Sequence, residues 1–185
     1  MTDDLLTRRP HTPEEQEALQ DRMSLLVGDV ARASAVVELH LRQLMQALID
    51  SKYAEVTTAG LAANELIETC AALAKINREI TEAQRSECLT HLSALKPLYT
   101  RRNQLVHGLW APAGMRTDQD EPAEALALVS KRRTATKAVN ITFVEAEELA
   151  RSLRETGMSI FRWVCGALLP QLQREQVTAA PEVTE

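Results

Sequence analysis

A single apolar seam runs through the first quarter of this sequence. Met23, Val27, Val30, Val37, Leu41, Leu44 and Leu48 recur at alternating steps of three and four, and Ser34 occupies one place in the series. That spacing keeps one face of an α-helix apolar over many turns. Thr12 supplies an N-cap, Pro13 the first helical position, and Glu15 the reciprocal partner of a capping box. The predicted helix runs from residue 13 to about residue 50, about 35 residues and near 50 Å at 1.5 Å per residue. Such length implies a helical bundle, an oligomer seam, or both. Gly28 is where a break is expected if the helix is interrupted.

The rest of the chain repeats this helical pattern. Residues 51–60, β-branched and closed by Gly60, read as a connection. A second helix is predicted over 61–80, with Leu66, Cys70, Leu73 and Ile80 on its buried stripe. Thr81 and Gln84 form a second capping box and open a third helix carrying Leu89, Leu92 and Leu95. Pro97 predicts a kink or a fresh start. A further segment then reaches His107, where Gly108 ends it. From 111 to 124 the periodicity vanishes into Pro, Gly and acidic residues, which predicts a surface loop. Residues 125–131 and 138–143 read as a short hairpin with a basic tip. Thr142 and Glu145 give a third capping box, opening a final helix to about residue 169 with Leu149, Leu153, Met158, Phe161, Val164 and Leu168 inward. The fold class expected is therefore all-α. It is an antiparallel helical bundle of four to five helices with a short β-hairpin insertion. One domain is expected over 13–172, between flexible tails at 1–12 and 173–185.

Composition narrows the function. Aromatic residues are only 3% of the 185, so Leu, Val, Ala and Met must fill the interior. The net charge of −5 gives no overall attraction to nucleic acid, so any such binding must rest on a local patch. Cys70, Cys88 and Cys165 have neither metal-knuckle nor dithiol spacing and read as buried, reduced thiols. The N-terminus has no apolar core region and no stretch is long enough to span a membrane, which points to the cytoplasm. His91 lies four residues after Glu87, an offset that differs from the Glu-x-x-His of di-iron bundles, so no metal site is expected. No phosphate loop or dinucleotide fingerprint is present, and no cofactor is expected. His40, beside the seam, is expected on a helix surface or at an interface.

The chemistry concentrates in Arg102-Asn103-Gln104-Leu105-Val106-His107, followed by Gly108. An Arg-Asn pair four residues before a His is expected about 0.01 times by chance in a chain of this composition. The combination, rather than the Arg–His spacing alone, therefore singles the segment out. Cleavage of RNA by its own 2′-hydroxyl needs a base, an acid and a cation for the charge on phosphorus. Histidine suits the first two roles and arginine the third. Asn103 and His107 share a helix face, but Arg102 and His107 stand about 140° apart on an ideal helix. Their convergence requires that Arg102 reach round, that the helix distort, or that two chains meet. One His cannot readily be base and acid in one step, so a two-fold dimer is attractive. The competing structural reading has His107 cap the helix, Arg102 pair with a carboxylate and Asn103 act as a buried staple.

Arg102-Asn103-x-x-x-His107, late in a helical bundle, resembles the signature of HEPN-domain proteins. The following Leu105-Val106-His107-Gly108-Leu109-Trp110 is similar to the continuation in many bacterial HEPN-like sequences. The resemblance implies a metal-independent endoribonuclease with a composite site at a homodimer interface. Arg102, Asn103 and His107 would be its catalytic residues, and a toxin–antitoxin or defence setting with a protein antitoxin or regulator its context. A non-catalytic helical protein-interaction module is the alternative. The two differ in His107, which lines an open cleft with Arg102 in the enzyme and is packed within its own chain in the module.

Arg101, Lys131, Arg132, Arg133 and Lys137 are the candidate RNA-binding residues, since 125–143 holds no acidic side chain. Changing Lys131, Arg132 and Arg133 together to Ala is expected to weaken RNA binding at low salt. Unchanged affinity in a filter-binding titration would make the hairpin a bystander.

Overall fold

A computed structural model of the chain describes residues 12–51, 53–112, 123–127 and 137–168. The tails expected at the two ends lie outside the described residues, save Thr12. The elements are helices α1 (Pro13–Ile49), α2 (Ala54–Thr58), α3 (Ala63–Ile76) and α4 (Glu82–His107), strands β1 (Gly108–Pro112), β2 (Ala123–Ala127) and β3 (Lys137–Ile141), and helix α5 (Phe143–Trp163). A short π-helical turn, Val164–Leu168, follows. The protein is a helical bundle carrying a small sheet. Among the described residues, no helix is long and apolar enough to cross a membrane.

Local chemistry starts three of the four long helices. The Thr12 hydroxyl accepts from the Glu15 amide at 3.3 Å, and the Glu15 carboxylate accepts from the Thr12 amide at 3.0 Å. Thr81 with Gln84 and Thr142 with Glu145 repeat the arrangement at α4 and α5. At α3 the Glu65 carboxylate alone accepts from the Ala62 amide, at 2.8 Å. Helix α1 continues through Gly28 without a break, over 37 residues.

Two compact units divide the chain. The first comprises Met1–Ser34 and Thr100–Leu153. Its core holds Met23, Val30 and Ala33 from α1, Leu105 from α4, Ile141, and Phe143, Ala146, Leu149, Ala150 and Leu153 from α5. At its edge the Arg22 guanidinium lies 4.3 Å over the Phe143 ring and 3.3 Å from Glu147. The second comprises Ala35–Tyr99 and Arg154–Glu185. Val37, Leu41, Leu44 and Leu48 of α1 are buried there with Leu66, Ile67, Cys70, Cys88, Leu92, Leu95, Ile160 and Trp163. Burial pushes the Cys70 and Cys88 thiols up to about 12, with Cys88 adding to the effect on Cys70 and Glu87 to that on Cys88. Cys70, Cys88 and Cys165 are all free thiols, and Cys165 is half-buried.

The sheet departs from the sequence expectation. A hairpin was expected; three antiparallel strands form, in the order β1-β2-β3. Residues 111–112 and 123–124, expected in a loop, lie in β1 and β2, and 113–122 lie outside the described residues. The segment Ala-Glu-Ala-Leu-Ala of β2 is composed of helix formers, and cross-strand hydrogen bonding on both of its edges overrides that preference. A kink or a fresh start was expected at Pro97, and no fresh start occurs. Helix α4 passes through it instead of restarting. Buried Leu92, Leu95 and Tyr99 hold the helix on both sides of an exposed Pro97, so one missing amide donor does not end it.

Two glycines separate backbone preference from packing. A Cβ at Gly28 meets nothing within 4 Å, whereas one at Gly157 lies 3.0 Å from Val37 Cγ2 and 3.7 Å from Val37 Cα. Val37 is fully buried and cannot readily retreat. Gly28→Ala is expected to stabilise by about 0.5–1 kcal/mol. Gly157→Ala is expected to destabilise by about 1–2 kcal/mol, overpacking exceeding the helix-propensity gain. Urea unfolding of both variants checks the opposite signs.

Candidate active site

The last two turns of α4 bring Arg102, Asn103 and His107 together. Arg102 reaches round the helix, and its Nη1 lies 3.1 Å from Asn103 Oδ1 and 3.4 Å from His107 Nε2. Of the three geometries the 140° separation left open, this side chain takes the first. Asn103 and His107 are exposed and Arg102 is half-buried. A guanidinium carries donors only, so the Arg102–His107 hydrogen bond requires the Nε2 lone pair. The tautomer that matches this contact carries its proton on Nδ1.

A fourth residue enters from far away in sequence. Ser34 of α1, fully buried, accepts from Arg102 Nε at 3.1 Å and donates its own hydroxyl proton to the Ala31 carbonyl at 2.8 Å. The sequence showed Ser34 as a polar gap in an apolar seam. It gave no sign of the partner 68 residues on, because nothing local links them. Three of the five guanidinium donors are thus occupied, one on Nε and two on Nη1. Their acceptors are a hydroxyl, an amide oxygen and an imidazole nitrogen. No carboxylate among the described residues pairs with Arg102. A half-buried cation held only by neutral acceptors keeps its affinity for an anion.

Arg101 differs. Its Nη2 is 3.1 Å from Glu145 Oε1, so this candidate RNA-binding residue is engaged by a carboxylate. The Thr142 amide, and then Arg101, hold the Glu145 carboxyl below its usual range. Lys131, Arg132 and Arg133 lie outside the described residues. Lys137 is the first residue of β3, and the strand register locates its backbone. Gly108 pairs with Ala127, and Ala127 with Lys137. The rung nearest His107 therefore ends at Lys137, about 10 Å from Gly108 across two strand spacings.

The other histidines have different surroundings. His40, expected on a surface or at an interface, is buried at 9% exposure. Its Nδ1 donates to the Gly157 carbonyl at 2.9 Å, and its ring stacks on Phe161 at 5.1 Å. His91 stands 3.7 Å from Glu87. Among the described residues no group of three or more His, Cys, Asp and Glu is placed to hold a metal ion. Two grooves of the second unit, about 560 Å³ beside Asp50 and Glu55 and about 490 Å³ beside His91 and Arg162, contain none of the Arg102 cluster. That cluster is built into a helix end rather than either groove. No family model, no curated protein and no solved structure matches this chain.

The lowered Glu145 pKa sets the sign of a pH effect. A carboxyl depressed in the folded state contributes stability above its unfolded pKa and loses it as pH falls through the folded value. Glu145→Gln is therefore expected to lower the melting temperature at neutral pH and to narrow the difference from wild type on the acid side. Equal differences at both pH values in thermal melts would exclude this role.

Proposed function

We propose that this protein is a metal-independent endoribonuclease of HEPN type. The reading rests on one observation above all: the Arg102 guanidinium, unpaired with any carboxylate among the described residues, is hydrogen-bonded at once to Asn103 and His107 at an exposed helix end. These groups match the chemistry of cleavage by the neighbouring 2′-hydroxyl. His107 Nε2 takes the 2′-hydroxyl proton as the 2′-oxygen attacks phosphorus. Arg102 stabilises the added negative charge on the phosphoryl oxygens, and Asn103 orients the two. The bond from phosphorus to the 5′-oxygen breaks, leaving a 2′,3′-cyclic phosphate and a 5′-hydroxyl. The proton for that leaving oxygen comes from His107 of a second copy in a homodimer, since one imidazole serves one role per step. Lys137 and the basic residues before it in sequence, Lys131, Arg132 and Arg133, are the candidate phosphate contacts in this reading. In this reading the protein works in the cytoplasm as a toxin or defence factor restrained by a protein regulator.

An interaction module is the second reading, and exposed apolar side chains favour it. Val36 and Leu39 on α1 and Met158 and Phe161 on α5 are all exposed in the second unit. Such residues suit a protein partner. The exposure of His107 beside Arg102 favours the enzyme.

Purified protein incubated with RNA in EDTA is expected to cleave it. His107→Ala should reduce the rate about 10²- to 10⁴-fold, and Arg102→Ala about 10²- to 10³-fold. Cleavage that survives both substitutions, or no cleavage by the wild type, rejects the nuclease in favour of the module.

A further inference from the structure

We infer that Ser34 is a positioning residue: it fixes Arg102, and the guanidinium so held selects the His107 tautomer whose Nε2 lone pair faces the phosphate-binding donors. Ser34 stands where the α1 seam calls for an apolar residue, yet it is fully buried. Its hydroxyl proton is committed to the Ala31 carbonyl, which turns the oxygen lone pairs outward to Arg102 Nε. A guanidinium is a rigid planar fork, so fixing Nε on one side determines where Nη1 and Nη2 point. Nη1 then reaches Asn103 and His107 together. Nη2 meets no partner among the described residues.

This arrangement makes the base conditional on substrate. In the free protein Arg102 covers the Nε2 lone pair of His107. A phosphodiester oxygen arriving at Nη2 competes for the adjacent Nη1 donor, since oxyanions engage two guanidinium donors side by side. With the fork in place, the Nη1 donor passes from His107 to the phosphate, and the lone pair is released where the 2′-hydroxyl lies. Ser34 and Asn103 keep the guanidinium in place during the exchange. This catalytic consequence rests on the nuclease reading; the hydrogen-bond chain from Ser34 to the imidazole does not.

The test uses side-chain nitrogen NMR of His107 at about pH 9, where an imidazole is neutral. Wild type is expected to show a protonated Nδ1 and an unprotonated Nε2. Ser34→Ala should raise the ratio of Nε2–H to Nδ1–H tautomer about five-fold, the scale of one ordinary hydrogen bond. Ser34→Thr, which keeps the hydroxyl, should retain the wild-type ratio. Circular dichroism verifies that each variant is folded. A folded Ser34→Ala protein with an unchanged ratio, or a wild type protonated at Nε2, overturns the inference. In a cleavage assay Ser34→Ala should lower kcat about 10- to 100-fold while KM changes little. The expected NMR pattern without RNA cleavage by any protein would uphold the positioning and reject the nuclease instead.

Discussion

A helix of 37 residues with one apolar stripe must have that stripe covered along its length, and the rest of this protein answers that demand. In the first unit α1 meets α5 through Arg22, Phe143 and Glu147, and α4 through Ser34 and Arg102. In the second it meets α3, where Cys70 Sγ approaches the Leu41 carbonyl at 3.5 Å, α2 through Gln46 and Thr58, and α5 at Gly157. Most of these contacts join residues far apart in sequence. The stripe is therefore both a strong sequence signal and a source of tertiary contacts within each unit.

Ser34 shows how function sits within this framework. The seam tolerates a buried hydroxyl because both of its hydrogen-bonding directions are used, one within α1 and one on α4. Replacing it with an apolar residue would lengthen the stripe and leave a half-buried guanidinium nitrogen without its acceptor. A polar residue at a core position is then evidence of a task elsewhere, here the orientation of a cation 68 residues away.

What the sequence disclosed follows the range of the interactions. The capping boxes at Thr12, Thr81 and Thr142 were legible because each is closed within three residues. The grouping of Arg102, Asn103 and His107 was legible as a motif, although periodicity left the reach of Arg102 open among three geometries. Strand β1 was missed because Gly108–Pro112 is extended through pairing with Ala123–Ala127, a partner that no local pattern reveals. Whether α4 restarts at Pro97 was left open, because Pro97 carries a local prohibition, while Leu95 and Tyr99 supply the packing that carries the helix through it. The Arg101–Glu145 pair was hidden for the same reason as the Ser34–Arg102 pair: 44 residues of chain separate its members.

The rung joining Gly108, Ala127 and Lys137 has a mechanical consequence. Gly108 directly follows His107, so the C-terminal end of α4 runs straight into a paired strand. Swinging His107 away from Arg102 through the backbone would have to break the Gly108–Ala127 pairing, and the helix end is thereby anchored from both sides of the helix–strand junction.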